Sequence, residues 1–304
     1  MPNANPPRDP YKEYLACRIP GARWWDVEEV STKGEEVRNL PHMMPSPGTF
    51  AKAAAQRGIS PSSHVVCYDT HGLFSSPRTA FTFLAFGHKN VSVLNGGLPA
   101  WLDEGGETQE GKVEEEVVAE EYPEPKLKEG WVRDFEEMVA NARMGGRGEV
   151  VLDARSRGRF NGTDPEPRAG LSSGHIPSSL SLPFPTLIDT HTSKRTGKPY
   201  TTLKDQIALY RTFSSETTDS QGRSSSTQGG SPVLDFEKVR QASSAGTTAV
   251  TATCGSGMTA AVIWLALRTL GIQSAIYDES WMGWASREKE GVPIAKQKTV
   301  EQAS

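Results

Sequence analysis

Cysteine is scarce in this chain: Cys17, Cys67 and Cys254 are the only three in 304 residues. Three scattered thiols cannot make a disulfide framework, and no C-x-x-C or closely spaced histidine pair is present to hold zinc. Long apolar runs are missing too, since none reaches the roughly 18 residues that a membrane span needs. There is no excess of basic charge. The formal net charge is −4, so neither nucleic acid nor a membrane surface is expected as a partner. The opening residues, MPNANPPRDPYKEY, contain neither the apolar stretch of a secretory signal nor the basic, Ser-rich pattern of a transit peptide. These absences predict a chain without metal, cofactor or targeting signal, working in a reducing compartment, cytoplasmic or mitochondrial.

What is present is an alternation of strand-like and helix-like runs. SHVVCYD (63–69) reads as a buried strand, SPRTAFTFLAFG (76–87) as a helix closed by glycine, and VSVLNGG (91–97) as a strand and turn. Later, WVRDFEEMVANA (131–142) reads as helix and EVVLDAR (149–155) as strand. TTAVTATCGSGMTAAVIWLALRTLG (247–271) reads as strand, loop and helix, and QSAIYDES (273–280) as strand. Repeated βαβ units predict an α/β fold with a mainly parallel sheet flanked by helices.

The two halves look alike. CRIPGARWWDVEEV (17–30) aligns with GHIPSSLSLPFPTL (174–187), and residues 65–97 align with 249–280. In that alignment Asp69 stands opposite Cys254. The repeat predicts a first domain over 1–110 without a reactive cysteine, an acidic solvated linker over 111–130, and a second domain over 131–295. SSETTDSQGRSSSTQGGS (214–231) is too polar to order itself and reads as a disordered loop inside the second domain. The first copy has no counterpart of EVVLDAR, so its opening strand is expected to be missing. Trimming of a longer protein is the favoured explanation, because removing a parallel strand leaves backbone groups unpaired.

Cys254 ends a strand and opens the loop Gly255, Ser256, Gly257, Met258 and Thr259 before a helix. Two glycines let the backbone curl around one point. Inward-facing amides and a helix N-terminus then favour a thiolate or a persulfide there. Cys17 and Cys67 lack such surroundings and read as small apolar side chains. A phosphatase loop would need an arginine six residues after the cysteine, where Ala260 stands, and Gly-Lys-Ser/Thr of a Walker A loop is absent.

LDARSRGRFNGTDPEPRAGLSSGHIPSSLSLPF (152–184), CGSGMTA (254–260), NLPHMMPSP (39–47) and LNGGLPAW (94–101) together resemble the tandem-domain rhodanese family of sulfurtransferases, over nearly the whole chain. The resemblance implies two packed α/β domains with Cys254 as nucleophile in the second. Within the family, basic residues after the cysteine go with thiosulfate and Gly-Ser-Gly goes with 3-mercaptopyruvate. The neutral loop here therefore implies a mono-carboxylate donor, held by Arg159 and Arg168, with the backbone of Gly255, Ser256, Gly257, Met258 and Thr259 lining the pocket. It further implies a relay in which Ser256 meets His42, and Glu28 takes the place of the usual aspartate with one methylene more. Asp26 stands two residues earlier.

Acceptors implied by the resemblance are a thiol, cyanide, thioredoxin or a sulfur-relay protein. A thiosulfate:cyanide sulfurtransferase, or a relay module with little turnover, remain the alternatives. Against the family pattern, Ser178 replaces a glycine, and Gly283 replaces an acid whose contact is expected to be lost. Met258 is expected to pack on the sheet, His175 to satisfy its own turn, and Trp24 and Trp25 to pack rather than bind.

Overall fold

The computed structural model describes residues 8–112, 121–215, 236–245 and 248–296. Most of the loop expected over 214–231 lies outside them. The first half contains α1 (Pro10–Ala16), α2 (Val27–Val30), α3 (Pro47–Ala55), β1 (Val65–Cys67), α4 (Ser76–Ala85), β2 (Val91–Val93) and α5 (Gly97–Asp103). The second contains β3 (Val132–Arg133), α6 (Phe135–Arg143), β4 (Val150–Asp153), α7 (Arg157–Asn161), β5 (Leu180–Ser181), β6 (Ile188–Thr192), β7 (Pro199–Leu203) and α8 (Gln206–Ser215). It closes with α9 (Phe236–Ser244), β8 (Val250–Thr253), α10 (Ala260–Thr269), β9 (Ala275–Tyr277) and α11 (Ser280–Ser286).

The second domain's sheet is parallel throughout, in the order β3-β9-β8-β4-β5. β8 is its centre, and all four of its residues are buried, as expected of a strand covered on both faces. Cys254 follows directly, so it emerges at the carboxyl end of the central strand, where ligands bind in such sheets.

The repeat is visible in the backbone. Arg18 and Gln109 form an isolated antiparallel bridge in the first domain, and His175 and Ala295 form its counterpart in the second. The Asp69 carbonyl accepts from Leu98 N at 3.0 Å, as the Cys254 carbonyl accepts from Trp281 N at 2.9 Å. The residues before those donors, Gly97 and Ser280, share left-handed φ values of 55° and 51°.

Three expectations are corrected. Among the described residues, β1 pairs only with β2, and its strand is not buried throughout: Val66 is 50% exposed while Cys67, on the opposite face, is buried. Residues 131–142 are not one helix. Val132 and Arg133 pair with Ile276 and Tyr277 as a short strand, and the Asp134–Glu137 capping box then starts α6. The solvated linker is only partly so. Tyr122 packs edge-on against Phe50 and bonds His88 at 2.9 Å, and Lys128 N donates to the Ala85 carbonyl at 2.8 Å.

The domains share one apolar core across α4 and α10. The α10 sequence AAVIWLALRT is apolar on nearly every side because it lies between its own sheet and α4. Phe81 meets Trp264 edge-to-face at 5.2 Å, and burying each such ring is worth about 1.5–3 kcal/mol. This packing fixes the first domain, and hence His42, against the loop of the second. A second tie is the β6–β7 hairpin. Thr201 N donates to the His71 carbonyl at 3.0 Å, and Leu203 N to Asn95 Oδ1 at 2.7 Å. No helix among the described residues is long and apolar enough to cross a membrane.

Candidate active site

Cys254 is 2% exposed. Its amide donates to Ser280 Oγ at 3.3 Å, and the Trp281 and Met282 amides donate to the carbonyls of Cys254 and Gly255. These bonds pin the start of the loop to α11. The amides of residues 255–259 donate to no protein acceptor among the described residues. Gly257 takes the left-handed φ of 79° that the curl needs. The loop carries no cation of its own.

The first domain shows what such a loop holds. Asp69 Oδ2 accepts from the amides of Phe74, Ser75 and Ser76 at 2.8–3.0 Å and from Ser76 Oγ at 2.9 Å. Asp69 Oδ1 accepts from His71 N at 2.9 Å. The anion position is filled by the chain's own carboxylate. It is also covered, because a β-carbon on Gly72 would lie 2.2 Å from the Thr201 carbonyl oxygen of the hairpin.

His42 and Ser256 come together from different domains, with Nδ1 and Oγ 3.0 Å apart. His42 adopts φ 62°, a conformation that a β-carbon disfavours. It is held there by Glu28 Oε2, which accepts from the His42 amide at 3.1 Å, and by Arg78 Nη2, which donates to its carbonyl at 2.8 Å. Imidazole Nε2 lies 3.6 Å from Glu28 Oε2, a charge contact longer than a hydrogen bond. Asp26 is not part of this set, since its Oδ1 caps α2 through Glu28 N at 2.8 Å. Burial of the imidazole holds its pKa below the ordinary histidine value. Arg78 and Arg168 add to that effect and Glu28 opposes it.

Arg159 reaches the loop: a methyl on Gly255 would lie 3.3 Å from its Nη2. It is not the open fork expected. Glu166 takes its Nε and Nη2, leaving Nη1 without a protein partner among the described residues. Glu166 also accepts from Arg155 Nη1 at 2.8 Å, and its side chain is 2% exposed. Arg155 is itself clamped onto Asp153 and over the face of Trp281 at 4.1 Å. Arg168 is exposed and lies close enough to bear on His42.

Sequence reasoning missed Glu166, Arg78 and Asp278. Glu166 lay inside the quoted block between the two arginines. Nothing local marks Arg78 or Asp278, which become neighbours only when the domains pack. The contact expected to be lost at Gly283 is supplied differently. A β-carbon at Gly283 would lie 2.2 Å from Glu279 Oε2, so the Glu279 carboxylate fills that space and pairs with Arg287. His175 Nδ1 donates to the Phe160 carbonyl at 2.8 Å. Trp24 packs on Tyr11 and Tyr14, and Trp25 on Phe50 and Phe83. Cys67 is buried, with its thiol pKa pushed up to about 12, as an unreactive core thiol should be.

Residues 8–104 match the Rhodanese-like domain family. The Escherichia coli K12 protein named 3-mercaptopyruvate sulfurtransferase is 32% identical over 281 residues, covering 92% of this chain and 84% of the relative. The crystal structure of Escherichia coli SseA, titled for the rhodanese fold and mechanism of such enzymes, is 29% identical. It covers 90% of this chain and 87% of that one at a TM-score of 0.66. A sub-stoichiometric sulfur transferase subunit of yeast mitochondrial complex I is 32% identical, covering 97% of this chain and 90% of that one at a TM-score of 0.74. With a repeated α/β domain, a cysteine at the end of the second domain's central strand and an aspartate following β1 in the first, the chain belongs to the rhodanese family of sulfurtransferases.

Proposed function

We propose that the chain moves sulfur from 3-mercaptopyruvate through a persulfide on Cys254 to a thiol or protein acceptor, releasing pyruvate. The observation that carries this is the loop itself: unpartnered amides around Cys254, no cation within it, and Arg159 and the His42–Ser256 pair at its rim. A monoanionic donor suits that balance of charge better than a dianion.

The Cys254 thiolate attacks the donor sulfur, forming an S–S bond as the donor's C–S bond breaks. The bonding pair passes into the enolate of pyruvate, which takes up a proton and leaves. Arg159 Nη1 and Arg168 hold the carboxylate and carbonyl. Neutral His42 accepts from the Ser256 hydroxyl, and this pair removes the proton that must leave the thiol before attack. The loop amides stabilise the persulfide anion as Asp69 is stabilised in the first domain. An acceptor thiolate then attacks the outer sulfur and restores Cys254.

The named relatives support the donor class, and the complex I subunit supports a protein partner. A cytoplasmic or mitochondrial site of action accords with relatives from a bacterium and from mitochondria. Mass spectrometry after treatment with 3-mercaptopyruvate should find one added sulfur atom on Cys254 and an equivalent of pyruvate. Absence of that adduct on intact protein overturns the proposal. A higher kcat/KM for thiosulfate than for 3-mercaptopyruvate would replace the donor.

A further inference from the structure

Arg78 lies in α4 of the first domain, and only 1% of it is exposed. Its Nη2 donates to the His42 carbonyl at 2.8 Å and to Asp278 Oδ1 at 2.7 Å. Asp278, at the end of β9, accepts through Oδ2 from the Met44 amide at 2.8 Å. The pair therefore grips the backbone on both sides of Met43 and fixes where the His42 side chain points. Arg78 Nη1 is buried with no acceptor among the described residues. A methyl on Gly257 would lie 3.3 Å from that nitrogen, so the unpaired end of the guanidinium abuts the Cys254 loop.

The inference rests on the sulfur-transfer reading of this site. We propose that Arg78 is a positioning residue for that reaction: its Nη2 holds the His42 backbone against Ser256 and ties it to Asp278, and its buried charge favours the neutral imidazole that can accept a proton. A cation in a poorly solvated place disfavours a second positive charge beside it. The other charged groups bearing on His42 are Glu28 from α2, Arg168 from the segment after α7, and Asp278 through its pairing with Arg78. Glu28 favours the protonated imidazole. Arg78 and Arg168 disfavour it, in line with the lowered His42 pKa. A merely structural ion pair would also hold two domains together, but it would leave the titration of His42 alone.

The test is the pH profile of kcat/KM for 3-mercaptopyruvate on the full chain, with three variants. Arg78→Gln should move the acid limb to higher pH by about half a unit or more. Asp278→Asn leaves the Arg78 charge uncompensated and should move it to lower pH. Arg78→Lys keeps the charge but shortens the reach that places Nη2 between the His42 carbonyl and Asp278. Its limb should stay in place while kcat falls several-fold, with KM changed much less. If Arg78→Gln does not fold, the Asp278→Asn and Arg78→Lys results decide. Profiles that fall in height without moving in any variant overturn the inference. Failure of the unaltered chain to take sulfur from 3-mercaptopyruvate overturns the sulfur-transfer reading instead, before any variant is compared.

Discussion

Asp69 and Cys254 stand at the same point of two copies of one loop, and their carbonyls accept equivalent bonds from Leu98 and Trp281. The Asp69 carboxylate satisfies the amides of His71, Phe74, Ser75 and Ser76, whereas the amides after Cys254 have no protein acceptor among the described residues. The first loop is closed by its own carboxylate, and the proposed function gives the second to a persulfide. Asp69→Ala should destabilise the fold by about 3 kcal/mol, because several donors lose a charged acceptor at once. Persulfide formation on Cys254 should survive in the folded fraction. Urea denaturation and the mass shift of Cys254, measured on the same preparation, check both parts.

The pH dependence follows from His42. Its pKa lies below the ordinary value because the ring is buried and Arg78 and Arg168 are near. In the proposed mechanism neutral imidazole is the active form, so kcat/KM should hold down to about pH 6.5 and fall only as pH drops through the lowered folded value. Stability carries the same sign. Unfolded histidine takes up its proton near pH 6.5 while the folded ring resists, so this contribution is present above that pH and is lost as pH falls through the folded pKa. Glu28→Gln removes the charge that raises the pKa, and should shift the acid limb to lower pH. A limb that shifts upward would show that Glu28 acts on another group.

Much of this site was legible as pattern. The apolar run before Cys254, the Gly-Ser-Gly after it and the repeated Ile-Pro turns put Cys254 at the end of a buried strand, because strand period and turn chemistry are local. His42 was legible only through the family resemblance, since nothing in NLPHMMPSP says that it will meet Ser256 across a domain boundary. Arg78 and Asp278 were not legible at all. Their roles come from burial and from a contact between residues two hundred positions apart. The split of 131–142 into strand and helix was missed because two residues of strand are shorter than any period, although the Asp134–Glu137 capping box was there to be read. The hairpin 188–203 was missed because its residues are mostly polar, and its partners are backbone and side-chain groups of the first domain.

Ser178 offers a stability prediction independent of the chemistry. It sits at φ 66°, exposed and with no side-chain hydrogen bond recorded, where the family pattern has glycine. Replacing its β-carbon with hydrogen relieves left-handed strain of about 1–2 kcal/mol, partly offset by the greater freedom of glycine in the unfolded chain. Ser178→Gly should therefore raise stability by roughly 0.5–1 kcal/mol, with kcat and KM unchanged. A lower denaturation midpoint would show that Ser178 makes a contact worth more than the strain.

Arg159 and Glu166 separate the donors. Glu166 already holds two nitrogens of the guanidinium, so Arg159 has a fixed orientation, and the proposed function puts its remaining nitrogen, Nη1, on the donor carboxylate. Losing that nitrogen removes a charge-assisted bond worth about 1.5–3 kcal/mol. Arg159→Ala should thus lower kcat/KM for 3-mercaptopyruvate by about 10- to 100-fold. If Arg159 reads the carboxylate rather than supplying general positive charge, the loss with thiosulfate is several times smaller. Glu166→Gln tests the orientation separately. It leaves the buried Arg155 and the Arg159 fork without their shared carboxylate, which should cost about 3 kcal/mol or more in stability. At a temperature where the protein remains folded, it should raise KM for 3-mercaptopyruvate more than it lowers kcat, since the cation is kept but no longer aimed. Equal losses with both donors in Arg159→Ala would take the carboxylate role away from Arg159 and leave it to Arg168.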